Sequence, residues 1–232
     1  MMGLILAFVG VAKADVVTIG EGTGTTYYFP IDNYFNYSCT QQIYFAEELG
    51  TAGTINAISF YYNYGTAYTT PNITMYMKNV SRSEFSSTTD YEPLALGDIV
   101  WSGDIAPTAA GWYTFTLDTP FQYDGTSNLL VAFFDGTSGY PGTSYNWRQT
   151  TSPGSAYMAL RYYSDSYCPD PYNLGSYSGS KMRYTYRSNV QIDITPGGGG
   201  MEDQLHVKYV NADEEEVIDS LNLGVRPLGA WM

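Results

Sequence analysis

From Met182 to Ile194 the even positions read Met182, Tyr184, Tyr186, Ser188, Val190, Ile192 and Ile194. The odd positions read Arg183, Thr185, Arg187, Asn189, Gln191 and Asp193. Apolar and polar side chains thus alternate with a period of two, the mark of a strand with one buried face. The stretch is one long strand or two with a bend near Ser188. Ile58, Phe60 and Tyr62 alternate in the same way, as do Ile73, Met75 and Met77, and Tyr113, Phe115 and Leu117. Met158, Leu160 and Tyr162 form another inward face. Leu129–Phe134 is a continuous apolar run and predicts a strand covered on both sides. Clusters of Gly, Pro, Asn, Asp and Ser separate these runs, and helical patterning is confined to the neighbourhood of Phe45–Leu49 and Ser81–Phe85. The pattern predicts an all-β, two-sheet β-sandwich of jelly-roll type over residues 15–195, with an Ig-like sandwich as second choice.

The flanks differ from this middle. Residues 1–12 are uncharged and mostly apolar, too short for a membrane helix, and run into Ala12-Lys13-Ala14. Residues 1–14 therefore read as a secretory signal peptide, implying a secreted or cell-surface protein with no membrane insertion after cleavage. Pro196 and the four glycines to Gly200 read as a linker. Residues 201–232 hold seven acids and two bases, with short strand-like runs at Leu205–Val210 and Glu216–Leu221. This piece reads as the start of a truncated second β module.

Charge and residue type exclude several functions. Ten Lys and Arg stand against 23 Asp and Glu, a formal charge of −13, so bulk neutralisation of phosphates and hence nucleic-acid binding is not expected. The one histidine, His206, lies in the tail, which removes Ser-His-Asp and Cys-His catalysis and His-ligated zinc from the main domain. Gly20–Gly24 is glycine-rich, but Tyr27-Tyr28-Phe29-Pro30 follows where a dinucleotide loop needs a helix. Cys39 and Cys168 are the two cysteines, and in an oxidising compartment they are expected to pair. Such a bond would contribute about 4–5 kcal/mol in the chain-entropy picture.

Two constellations remain. Asp124-Gly125-Thr126-Ser127 recurs as Asp135-Gly136-Thr137-Ser138. Asp-Gly after an apolar run is turn chemistry, and Asp124 and Asp135 are at most weak calcium candidates, since no EF-hand spacing is present. The second is an aromatic loop signal. Tyr163, Tyr167, Tyr172 and Tyr177 stand among Ser, Gly, Asp and Asn, and residues 140–148 add Tyr140, Tyr145, Trp147 and Arg148. Such rings suit sugar stacking or protein contact, although aromatic residues also simply cover strands.

Several blocks in order carry a resemblance. They are Ile19-Gly20-x-Gly22-Thr23-Gly24-Thr25, Gln41–Tyr44, Ile55–Phe60, Gly111-Trp112, Thr119–Phe121 and Tyr123–Val131. Together they resemble a repeat β-sandwich module of secreted multidomain proteins of Bacteroidetes-type bacteria, which often carry fibronectin-III-like, adhesin and type IX sorting domains. The resemblance covers about residues 15–195. It implies surface exposure and adhesion or binding, and supplies no catalytic residues. The expectation is a non-catalytic extracellular binding or adhesion module, with a glycan or a host or cell-surface protein as partner and no cofactor beyond calcium. A structural spacer in a longer surface protein is the alternative, and a carboxylate-based glycan hydrolase the third reading.

Overall fold

The computed structural model describes residues 14–139 and 145–196, together with the backbone of two strands at 204–210 and 216–222. The expected signal segment lies outside the described residues apart from Ala14. So do Tyr140, the linker glycines and, those two strands excepted, the tail.

Thirteen strands build the main body. They are β1 (Asp15–Ile19), β2 (Gly24–Thr26), β3 (Tyr37–Tyr44), β4 (Gly53–Tyr62), β5 (Thr70–Val80), β6 (Ile99–Ile105) and β7 (Gly111–Tyr123). They continue as β8 (Asn128–Asp135), β9 (Trp147–Thr151), β10 (Ala159–Ser164), β11 (Ser180–Tyr184), β12 (Tyr186–Ser188) and β13 (Val190–Pro196). One sheet runs β1-β13-β4-β9-β12, with β7 also paired to β4 and β2 to β9; the other runs β11-β10-β3-β8-β5-β6. All of these pairings are antiparallel, and the two sheets pack face to face as a β-sandwich. In the tail, β14 (Gln204–Val210) and β15 (Glu216–Asn222) pair with each other, where the sequence has its two strand-like runs.

The core between the sheets follows the two-residue period. Ile58, Phe60 and Tyr62 of β4 meet Ile73, Met75 and Met77 of β5, Leu129, Val131 and Phe133 of β8, and Val190, Ile192 and Ile194 of β13. Ile55 belongs to the same core although it is three residues from Ile58. A register shift between Ile55 and Ala57 inserts the extra residue that turns both isoleucines inward. Each such side chain contributes about 1.5–3 kcal/mol on burial.

A second core covers the outer face of the β3-β8-β5 sheet. Leu130 and Ala132, which alternate with the inward residues of β8, pack with Cys39, Ile43, Tyr76, Leu160 and Tyr162. Phe85 and Leu94 from the β5–β6 connection and Leu174 and Tyr177 from the β10–β11 connection close over them. Leu129–Phe134 is therefore buried on both faces, as its unbroken apolar run requires. Leu160 and Tyr162 belong to this outer core rather than to the space between the sheets.

The alternating stretch 182–194 is not one strand. It is β11 in one sheet, then β12 and β13 in the other, so the chain changes sheets at Thr185. That change explains two departures from the pattern. Met182 lies on an edge strand and is exposed. Arg187, at a polar position, is buried. Its guanidinium donates to the Ile43 carbonyl at 2.7 Å and pairs with Glu48 of the short helix α1 (Ala46–Leu49). The Gly20–Gly24 segment is a close backbone approach. A side chain on Gly22 would stand 2.2 Å from the Gln149 carbonyl oxygen.

Candidate functional site

Strand β10 sends Leu160 and Tyr162 to the outer core, so Arg161 and Tyr163 face the other way. There Arg161 is buried, and a buried charge needs a partner. It finds Asp32, fully buried on the segment between β2 and β3, and its Nε donates to the Tyr184 hydroxyl at 3.0 Å. The guanidinium carbon lies 3.5 Å from the centroid of Tyr28 and 3.8 Å from that of Tyr163, within stacking range of both rings.

From this arginine a chain of rings runs along the surface. Tyr163 meets Phe35 at 4.5 Å between centroids, Phe35 meets Tyr34 at 5.1 Å, and Tyr34 meets Tyr27 at 5.2 Å. Tyr27 meets Tyr28 at 4.2 Å, Tyr28 meets Tyr184 at 5.5 Å, and Tyr184 meets Tyr186 at 5.0 Å. Tyr34 is 38% exposed and the other rings are half-buried. The Tyr27 and Tyr28 hydroxyls are hydrogen-bonded at 2.9 Å, which together with burial pushes the Tyr27 hydroxyl up to about 12.

The loops beside this belt are stapled to each other. The Asn36 backbone N–H donates to Asp165 Oδ1 at 3.2 Å, and its Nδ2 donates to the Asp165 carbonyl at 3.1 Å. The Gly139 N–H donates to Asn36 Oδ1 at 3.1 Å. Two buried carboxyl groups lie beneath. Burial pushes Asp32 up to about 6, against the pull of Arg161. Burial, with a smaller push from Asp32, raises Asp135 to about 7 against one hydrogen bond from the Thr137 N–H.

The residues expected to bind ligand separate here. Tyr163 is part of the ring belt. Tyr167 is 62% exposed, and Tyr172 is also exposed, with its hydroxyl 3.3 Å from that of Tyr76. Tyr177 is only 7% exposed and packs on Tyr162, so it covers the outer core rather than presenting a surface. Trp147 is a correction. It is wholly buried between the sheets against Tyr62 and Tyr113, because its strand turns this position inward. Tyr140 lies outside the described residues.

The expected disulfide is also corrected. Cys39 and Cys168 are both free thiols. Cys39 points into the outer core, where burial pushes its thiol up to about 12, and Cys168 sits on the exposed loop with its sulfur 3.6 Å from the Pro169 carbonyl oxygen. Asp124 is committed to a turn. Its Oδ1 accepts the Thr126 and Ser127 N–H groups at 2.8 and 2.7 Å, and Gly125 takes a left-handed φ of 76°. Asp135 makes the matching bond to Thr137 N–H at 2.9 Å. Among the described residues no three His, Cys, Asp or Glu side chains converge as a metal site would need.

The sequence reading missed Tyr27, Tyr28, Tyr34, Phe35 and Tyr184. Two signals were present: the dense Tyr27-Tyr28-Phe29 and Tyr34-Phe35 clusters, and Arg161 standing alone inside the apolar run Met158–Tyr162. No family model matches the chain, and comparison with curated proteins finds no match.

Proposed function

We propose that this chain is a non-catalytic binding or adhesion module of a secreted or cell-surface bacterial protein, with a glycan as its favoured ligand class. The observation that carries the reading is the belt of rings from Tyr163 to Tyr184, anchored at Tyr28, Tyr163 and Tyr184 by the buried Arg161–Asp32 pair. Rings fixed before binding lose little freedom on contact, and tyrosine offers both a flat apolar face and a hydroxyl. The wider context agrees. Strands β1-β13-β4-β7 face β3-β8-β5-β6 in an antiparallel β-sandwich, and a jelly-roll reading of that sandwich would match an architecture that lectin domains use. The two carboxyl groups displaced furthest from the ordinary range, Asp32 and Asp135, are closed off from solvent, where no glycosidic bond reaches them. The apolar start of the chain and the resemblance to surface modules of Bacteroidetes-type proteins favour export. Among the described residues no helix is long and apolar enough to cross a membrane.

The test is a glycan array probed with the whole chain and with a Tyr27→Ala/Tyr34→Ala variant. Binding of a defined sugar class that falls at least tenfold in the variant, at an unchanged unfolding midpoint, supports the belt. Equal binding by both proteins refutes it. A folded chain that binds no glycan refutes the ligand class.

A further inference from the structure

A separate cluster lies on the outer face of the β1-β13-β4-β7 sheet. Phe60 and Tyr62 of β4 point inward, so Tyr61 points out; Trp147 points inward, so Arg148 points out. Trp112 of β7 is the register partner of Tyr61 and is 37% exposed. The two rings meet edge to face at 5.4 Å and 81°. The Arg148 guanidinium carbon lies 3.9 Å over the Tyr61 ring, and its Nε donates to Asn63 Oδ1 at 3.1 Å. One step along the same face, the hydroxyls of Ser59 and Thr114 are hydrogen-bonded at 2.8 Å.

Arg148 is unusual in this protein. Arg82, Arg161 and Arg187 are each paired with carboxylates, and Arg183 spends its guanidinium on the Phe85 and Ser86 carbonyls. Arg148 has no carboxylate partner among the described residues, in a chain with a formal charge of −13. Tyr61 fixes the plane of its guanidinium and Asn63 fixes its Nε edge. The two terminal nitrogens are left for a bidentate acceptor, and a carboxylate matches that fork. An indole beside such a fork suits the C–H face of a pyranose ring.

We infer that Trp112, Tyr61 and Arg148 form a subsite for a carboxylated sugar, with the pyranose ring on Trp112 and its carboxylate on Arg148. The inference rests on the proposed function only in taking the chain as a sugar-binding module, and it does not use the ring belt. Uronic acids and sialic acids share this chemistry. A single charge contact at about 0.15 M salt is screened beyond roughly 8 Å, so the acidic remainder of the surface does not veto it.

The test is titration calorimetry of the whole chain with oligogalacturonate, oligomannuronate and sialyllactose. The carboxyl-reduced, neutral form of each binding probe is run beside it. The expected result is binding of at least one carboxylated probe, weakened tenfold or more by carboxyl reduction, by Trp112→Ala and by Arg148→Gln. Arg148→Lys, which keeps the charge but loses the fork, is expected to fall between wild type and Arg148→Gln. All three side chains are on the surface, and an unchanged unfolding midpoint checks the fold of each variant. No binding of any carboxylated probe overturns the inference. So does equal binding of the reduced probe, or indifference to Trp112→Ala and Arg148→Gln. The two readings fail separately. Loss in Tyr27→Ala/Tyr34→Ala with full binding in the Trp112 and Arg148 variants sinks the subsite alone. The reverse pattern sinks the belt alone.

Discussion

Replacing Asp135 by asparagine tests whether the end of the sandwich beneath the ring belt is as dry as its packing implies. Asp135 is almost wholly buried in the last position of β8, with one backbone N–H on its carboxyl group and the Asp32 carboxyl nearby. Its pKa is pushed from the ordinary 3.8 to about 7. The folded state therefore keeps a proton that the unfolded chain has released, and stability falls as pH rises between these values. The stabilising effect of that proton is complete below about pH 4 and gone above about pH 7. In between, the slope is about −1.4 kcal/mol per pH unit, and the full span is worth about 4 kcal/mol. The asparagine side chain cannot ionise and still offers an oxygen to the Thr137 N–H. Urea unfolding followed by tryptophan fluorescence at pH 5, 6, 7 and 8 reads the slope directly. The wild type should lose stability from pH 5 to about pH 7 and level off towards pH 8, and the Asp135→Asn variant should lose much less and be the more stable protein at pH 8. Asp32, raised to about 6, contributes a slope of the same sign that the variant keeps. Identical slopes for the two proteins would show that Asp135 ionises as freely in the folded state as in the unfolded one, and the argument from burial would fall.

Other consequences follow from the same packing. Asp32→Asn leaves Arg161 buried without its countercharge and should cost about 3–5 kcal/mol in urea unfolding; a cost under about 1 kcal/mol would mean that the pair is not desolvated. Trp147→Ala empties a site between the sheets and should cost about 3–5 kcal/mol, read as a lower midpoint, so any lost binding would track unfolding rather than a lost contact. Ellman titration of the native chain should find Cys168 reactive first and Cys39 silent until denaturant is added. A reductant should leave the melting temperature unchanged, and a drop of several degrees would argue for a bond between the two.

Much of the fold was legible because the period of two survives tertiary packing wherever a strand has one face on the core. Val190, Ile192 and Ile194 are buried at the positions their alternation marks. The pattern could not reveal that 182–194 spans two sheets, since Tyr184 and Tyr186 keep the same spacing on either side of the crossing at Thr185. Nor could it say which face of β10 meets which core. Leu160 and Tyr162 are apolar for burial under two connections, the β10–β11 loop that follows the strand and the β5–β6 loop that is far away in sequence. The cysteine expectation failed for a related reason. An even count of cysteines invites pairing, but Cys39 is buried in the outer core and Cys168 is exposed on the β10–β11 loop, and no bond joins them.

The tyrosines make the same point about function. A Tyr-rich loop is equally suited to covering a sheet and to presenting rings to a ligand, because each use asks for a flat apolar face with a polar end. What separates the uses is the surface underneath. Below Tyr177 lies Tyr162 on an apolar sheet face, so the ring is consumed as cover. Below Tyr28 and Tyr163 lies Arg161, whose charge had to be paired and enclosed, and the rings that enclose it extend outward to Tyr34. On the sheet face Tyr61 serves as the platform for Arg148, with Trp112 turned to solvent beside it. Aromatic content alone does not distinguish these uses, and the cations Arg161 and Arg148 mark where rings are held in place at the surfaces proposed above. A lone arginine within an aromatic strand therefore says more about which rings are held than the density of tyrosine does.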